Sequence, residues 1–145
     1  GAVALVATAS CDSTKVLGTS SVTTRDLLFA RARWESQSIS RYEYTLQVLC
    51  FCFETRPMRV TVRDGAVESV RPEESLTPLP VEQWSWFPSI EGLFRVTAEA
   101  IARPASSLRA EFDAVRGFPH ELSIDWSVGV ADDEVTYLVS DIRIP

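Results

Sequence analysis

The chain has 145 residues, 46% of them hydrophobic, and carries 14 basic against 20 acidic side chains for a net charge of -6. That length supports one domain with its own core and is short for two. The acidic balance, with no run of Lys and Arg, argues against nucleic acid as a partner, because a phosphate backbone asks for clustered cations.

Residues 1–10 are uncharged, small and apolar, and they run into Cys11 and the polar Asp12-Ser13-Thr14-Lys15. A run of that size is too short to span a bilayer and suits the apolar part of an export signal, whose basic front is expected ahead of it. Thr8-Ala9-Ser10-Cys11 resembles the bacterial lipobox, in which small residues precede a cysteine that is lipidated; it departs from the pattern at Thr8, where Leu is usual. The competing reading is a secretory signal with a chance cysteine. Residues 1–11 are thus expected to be a partial export signal ending in a lipidated Cys11, residues 12–22 a flexible tether, and residues 23–145 a single domain. The location that follows is the bacterial cell envelope, with the membrane as a partner through an N-terminal lipid anchor.

Thr23 can cap a helix whose Asp26 favours the exposed first-turn amides. Leu27, Ala30 and Trp34 then fall on one stripe that ends near residues 36–38, with Trp34 expected to dock on a sheet. From Arg41 to Phe53 the even positions Tyr42, Tyr44, Leu46, Val48, Cys50 and Cys52 share one face. The odd positions begin polar and become apolar at Leu49, Phe51 and Phe53, which predicts a long central strand covered on both sides at its far end. After a turn near Glu54 to Pro57, Met58, Val60 and Val62 alternate with Arg59, Thr61 and Arg63, a strand with a wet face. Asp64-Gly65 predicts a two-residue hairpin, and residues 66–70 return as an edge or bulged strand.

Residues 72–88 hold four prolines with Trp84 and Trp86 and no period, so they read as a long surface connection. Ser89 can cap a second helix, with Ile90, Leu93, Phe94, Thr97 and Ile101 on one face until Arg103-Pro104 stops it. Three strands follow: Leu108, Ala110 and Phe112 in the first, Leu122, Ile124 and Trp126 in the second, and residues 134–142 in the last, with Gly117-Phe118-Pro119 turning the chain between the first two. The predicted fold is α+β, one curved antiparallel sheet of about six strands with two helices on one face, in the order α-β-β-β-α-β-β-β.

Chemistry has few places to reside. In a regular strand the Cα atoms of Cys50 and Cys52 would stand about 6.6 Å apart, so a bridge between them demands a local kink. Three states stay open: a bridged pair, two inert buried thiols, or a metal or redox pair. The shared parity with Leu46 and Val48 points both sulfurs toward the helical layer, where they would be buried and slow to react. His120 is the one histidine; it follows Pro119 at a strand entrance and reads as a partly exposed strand-end residue, short of the four ligands of a structural zinc site. Asp132-Asp133-Glu134 with Asp125 and Asp113 lacks the alternate ligand spacing of a calcium loop and reads as a solvated acidic turn. No nucleophile elbow or paired-carboxylate motif appears, so no catalytic residue, metal or cofactor is assigned.

With Trp34, Tyr42-x-Tyr44, Cys50-x-Cys52, Asp64-Gly65, Leu93-Phe94, Phe112-Asp113, Gly117-Phe118-Pro119 and Asp125, the chain resembles an uncharacterised bacterial family of envelope lipoprotein domains over roughly residues 24–143. The resemblance implies export and paired cysteines and supplies no catalytic residue. The expected role is a non-enzymatic binding or scaffold module, with Trp84, Trp86 and Phe118 as candidate aromatics for an envelope protein or peptide partner. The alternative is a small thiol/disulfide or metal-handling protein using Cys50 and Cys52. The first predicts an exposed aromatic patch from Trp84, Trp86 or Phe118, the second a sulfur that water can reach.

Overall fold

A computed structural model describes Gly1, residues 21–52 and residues 54–145. The export-signal stretch, the lipobox-like Cys11, the tether up to Ser20 and Phe53 lie outside the described residues. Helix α1 covers Thr24–Glu35, and its start is the reciprocal cap the sequence predicts: the Asp26 amide donates to Thr23 Oγ1 at 3.2 Å while the Thr23 amide donates to Asp26 Oδ2 at 2.9 Å. Leu27, Ala30 and Trp34 form its buried stripe.

Strands β1 (Arg41–Cys50), β2 (Met58–Arg63) and β3 (Ala66–Pro72) make one half of the sheet, and β4 (Ser107–Phe112), β5 (Pro119–Asp125) and β6 (Glu134–Arg143) the other. Helix α2 spans Ile90–Ala102 between the halves, capped by Ser89 Oγ, which accepts the Gly92 amide at 3.1 Å. The six strands form one open antiparallel sheet in the order β3-β2-β1-β6-β5-β4. The first and last strands therefore pair in the middle, and all three connections 51–57, 73–80 and 126–133 leave from the end of the sheet where β1 stops.

Alternation sorts the faces. Tyr42, Tyr44, Leu46 and Val48 of β1, Met58, Val60 and Val62 of β2, and Leu122 and Ile124 of β5 are buried on the helix-covered side. Trp34 stands edge-on to Tyr42 with ring centres 5.2 Å apart, and Phe94 of α2 stacks on Phe112 of β4 at 6.3 Å, so both helices lie on the same face. The Asp64-Gly65 turn takes the two positive φ angles, 49° and 77°, that a tight hairpin requires. Gly117 has φ 85°, and a Cβ there would sit 2.2 Å from the Ala30 carbonyl oxygen, so this turn packs directly on α1.

Four expectations are corrected. The connection 72–88 is not irregular throughout: Val81–Trp86 form a 3₁₀ helix, a third helical element between β3 and α2, and Phe87 after it is buried. β1 ends at Cys50, because the chain bends at Phe51 and Cys52. Its far end is not covered on both sides, since Leu49 is 41% and Phe51 84% exposed. The open face of β2 is not wet at Arg59, which is 3% exposed beneath Glu73 and Asp141.

Candidate functional site

The start of β1 is closed by hydrogen bonds. The Trp34 indole donates to Glu91 Oε1 at 2.9 Å and the Tyr42 hydroxyl to Glu91 Oε2 at 2.7 Å. Tyr42 accepts the Ile90 amide at 2.9 Å, and the Tyr44 hydroxyl donates to the Pro88 carbonyl. Burial first, then the Glu91 carboxylate, pushes both phenols far above their ordinary value, so they serve as fixed donors that clamp the entry of α2. The indole, both phenols and the Glu91 carboxylate named here each have a partner.

The end of β1 is open. Val48 and Cys50 from β1, Val135 and Tyr137 from β6, Val96 from α2 and the Ser85–Pro88 segment enclose a cleft of about 420 Å³, with Cys52 and Glu54 at its mouth. Register explains the convergence, because Cys50 pairs with Val135 and Val48 with Tyr137, which puts these four side chains on the helix-covered face at the sheet's edge. The 3₁₀ turn then brings Trp86 to the opposite wall. Most of the lining is apolar, and its polar groups are few. Burial raises the Tyr137 phenol. The Glu54 side chain is 11% exposed and held by Arg56 through bonds of 2.9 and 2.6 Å, which keep its carboxyl below the usual range. Among the described lining residues Ser85 has no histidine beside it.

Cys50 and Cys52 meet at this mouth. The bend after β1 brings their Cα atoms to 5.2 Å and their sulfurs to bonding distance, inside the range that bridges use. The kink required by strand geometry is thus present. Burial differs from the expectation for both sulfurs: Cys50 is half-buried against the core, but Cys52 is exposed, because the bend breaks the strand parity that pointed it inward. The Glu54 carbonyl lies 3.8 Å from the Cys52 sulfur, and no helix start or unpaired cation faces it among the contacts described.

The three candidate aromatics do not gather in one patch. Trp86 is 47% exposed on the cleft. Trp84 turns inward, packs on the core and donates to the Leu79 carbonyl at 2.9 Å. Phe118 sits edge-on to Trp34 at 6.3 Å under α1. His120 lies two strands from Cys50 and faces Glu111, Nε2 to Oε2 3.7 Å, so it does not join the cysteines. Among the described residues no group of three or more His, Cys, Asp or Glu comes together to hold a metal.

Sequence reasoning did not find Val96, Tyr137, Ser85 or Glu54 as neighbours of the cysteines. The parity of Tyr137 with Val135 and Val139 was a usable signal, whereas the 3₁₀ turn that supplies Ser85 and Trp86 left no period to read. On the open face it also missed the Arg59 cluster, in which Arg59 Nη2 reaches Asp141 Oδ2 at 2.6 Å and Glu73 Oε1 at 3.1 Å, and Thr45 Oγ1 donates to the same Glu73 oxygen at 3.0 Å.

Comparison with curated proteins gives no match. Residues 26–144, which include α1 from Asp26 on, the 3₁₀ helix, α2, all six strands and the cleft, match the family model described as a family of unknown function (DUF6174), and the chain belongs to that family.

Proposed function

We propose that this is a non-enzymatic binding domain of the bacterial envelope, exported and anchored through Cys11, whose ligand seat is the cleft beside Cys50 and Cys52. The occupant is an apolar side chain of an extended peptide from an envelope partner. One observation carries the reading: an apolar cleft of about 420 Å³ with an exposed tryptophan on its wall and few polar groups, the make-up of a recognition pocket and not of a reaction centre. Selection of a random peptide library on the native protein, counter-screened on Val96→Trp, tests it. Peptides with an apolar anchor are expected to bind the native protein and to lose at least about tenfold in affinity on the filled cleft. Equal binding to both proteins sinks the proposal.

A thiol/disulfide role is the second reading, favoured by the exposure of Cys52. Against it, exchange requires the departing thiolate to be stabilised, usually by positive charge or a helix start. Cys52 faces a carbonyl, and the nearby Arg56 is already engaged by Glu54. Mild dithiol reductant followed by thiol labelling separates the two readings: a structural bridge opens slowly, while an exchange site opens at low reductant and is re-formed by a protein disulfide donor.

A further inference from the structure

The two edges of the sheet are finished differently. On β3 the Leu79 amide donates to the Val70 carbonyl at 2.7 Å, the Arg71 guanidinium donates to the Ser75 carbonyl at 2.8 Å, and Pro72 has no amide to offer. Those groups blunt the β3 edge. On β4 the backbone of Asp113 turns toward β5, its amide donating to the Phe118 carbonyl at 2.8 Å and its carbonyl accepting the Gly117 amide at 2.9 Å. Successive residues of a strand address opposite edges, so the amides and carbonyls of Phe112, Ala110 and Leu108 point away from β5. Among the described residues they meet no hydrogen-bond partner. An unfinished edge of this kind is a template for another strand.

The sequence of β4 says which strand fits. Read antiparallel about Ala110, Ser107-Leu108-Arg109-Ala110-Glu111-Phe112 is self-complementary: Leu108 falls opposite Phe112, Arg109 opposite Glu111, and Ala110 opposite itself. Parity separates the two kinds of pair. Leu108, Ala110 and Phe112 are half-buried on the helix-covered face, where Phe112 stacks on Phe94, while Arg109 and Glu111 lie on the open face. We propose that two copies of this chain pair through their β4 edges about a two-fold axis at Ala110, continuing one antiparallel sheet across both. Leu108 then packs on the partner's Phe112, Arg109 faces the partner's Glu111, and each outward amide meets a carbonyl of the other copy.

Charge fixes the register. A slip of two residues either way along the edge sets Glu111 against Glu111 or Arg109 against Arg109, and like charges directly opposite repel. In the isolated chain Arg109 Nη2 already lies 2.5 Å from its own Glu111 Oε1, so pairing across the axis replaces one ion pair by another. The charges therefore select the alignment more than they add affinity. Affinity comes from the backbone bonds and the Leu108–Phe112 contacts. Six residues a side is a small contact, so the dimer is weak, dissociating at about 10–100 μM. The inference is independent of the cleft between β1 and β6.

The test uses the full chain as Cys11→Ser, so that neither an acyl group nor a bridge through Cys11 contributes to association. Sedimentation of this parent should show a monomer–dimer equilibrium in that range. Arg109→Glu alone and Glu111→Arg alone each set like charges across the axis at both ends, and each should weaken the dimer at least about tenfold. Mixed one to one, the two variants should regain a dimer within about threefold of the parent's constant, and native mass spectrometry should find one chain of each kind in it. Both variants lack the in-chain Arg109–Glu111 pair, so that rescue comes only from pairing between copies. The two side chains are 57% and 43% exposed, and melting curves check that each variant stays folded. Three results overturn the inference: a parent still monomeric about tenfold above the expected range, whether residues 12–20 or a strand of another protein takes the edge instead; a dimer kept by either variant alone; or a mixture no more associated than its components.

Discussion

The two ends of strand β1 use the same residue classes to opposite effect. At its start, Tyr42, Tyr44 and Trp34 are buried and their polar atoms end on Glu91, Ile90 or Pro88. At its finish, Trp86, Phe51 and Cys52 stand in or beside an open cleft, partly in water. An aromatic whose polar atom has a fixed partner stabilises the fold, because removing either side orphans the other. An aromatic partly exposed on a cleft, as Trp86 is, keeps ring surface open to contact. The domain's stability is therefore concentrated where α1 and α2 meet over β1, and the cleft proposed as its recognition surface lies at the other end.

Trp34→Ala gives the sharpest challenge to that contrast. It empties a site 2% exposed, breaks two edge-on ring contacts and frees Glu91 Oε1, and should lower stability by about 3–5 kcal/mol in urea or thermal unfolding. An unchanged melting curve would mean that the start of β1 is not where stability resides. Glu91→Ala comes next, at about 2–4 kcal/mol, since it leaves the Trp34 and Tyr42 donors without their acceptor. Glu91→Gln should lose less, and a loss as large as that of Ala would assign the effect to charge and not to acceptance.

The third prediction concerns pH and the open face. The hydrogen bond from Arg59, then that from Arg143, holds the Asp141 carboxyl below its ordinary value of 3.8. A carboxylate lowered on folding stabilises the fold above its unfolded value, and that contribution fades as pH falls through the folded value. Asp141→Asn should therefore destabilise the protein at neutral pH and converge with the parent in acid, once the pH has fallen through the lowered folded value. Asn tolerates the positive φ of 47° at this position, so the comparison reads charge and not backbone strain. A gap between the two proteins that persists unchanged at low pH would remove Asp141 from the acid response.

The smallest effects belong to the far end. Replacing Cys50 and Cys52 by Ala should cost no more than about 1–2 kcal/mol, because a bridge between residues two apart restrains little of the unfolded chain. After reduction, Cys52 should label faster than Cys50, in line with its exposure. A large loss of stability, or equal labelling, would show that the open end is structural after all.

How far these positions were legible follows from what enforces them. The buried faces of α1, β1, β2, α2 and β5 obey periods of 3.6 or 2, and the caps at Thr23 and Ser89 and the Asp64-Gly65 turn are set by local chemistry, so all could be read. The cleft could not, because it depends on pairing Cys50 with Val135 across 85 residues of chain. Arg59 was misread for a similar reason. Its strand parity places it on the open face correctly, but its burial comes from Glu73 and an irregularity in β6 at Asp141, which no local pattern announces.

The central pairing of β1 with β6 also dictates when this domain can fold. Helix α1 with β1–β3, and α2 with β4 and β5, can each gather early through short connections, yet neither half has a second sheet neighbour for its inner edge until β6 is present. Joining them closes the longest loop in the chain, a step whose entropy cost is met late and whose contacts form together. A ribosome-bound chain still lacking residues 134–143 should consequently hold its halves together through the contacts of α1 with α2 and the Gly117 turn alone, with the inner edges of β1 and β5 open to proteases and chaperones, and should close that sheet once those ten residues are free.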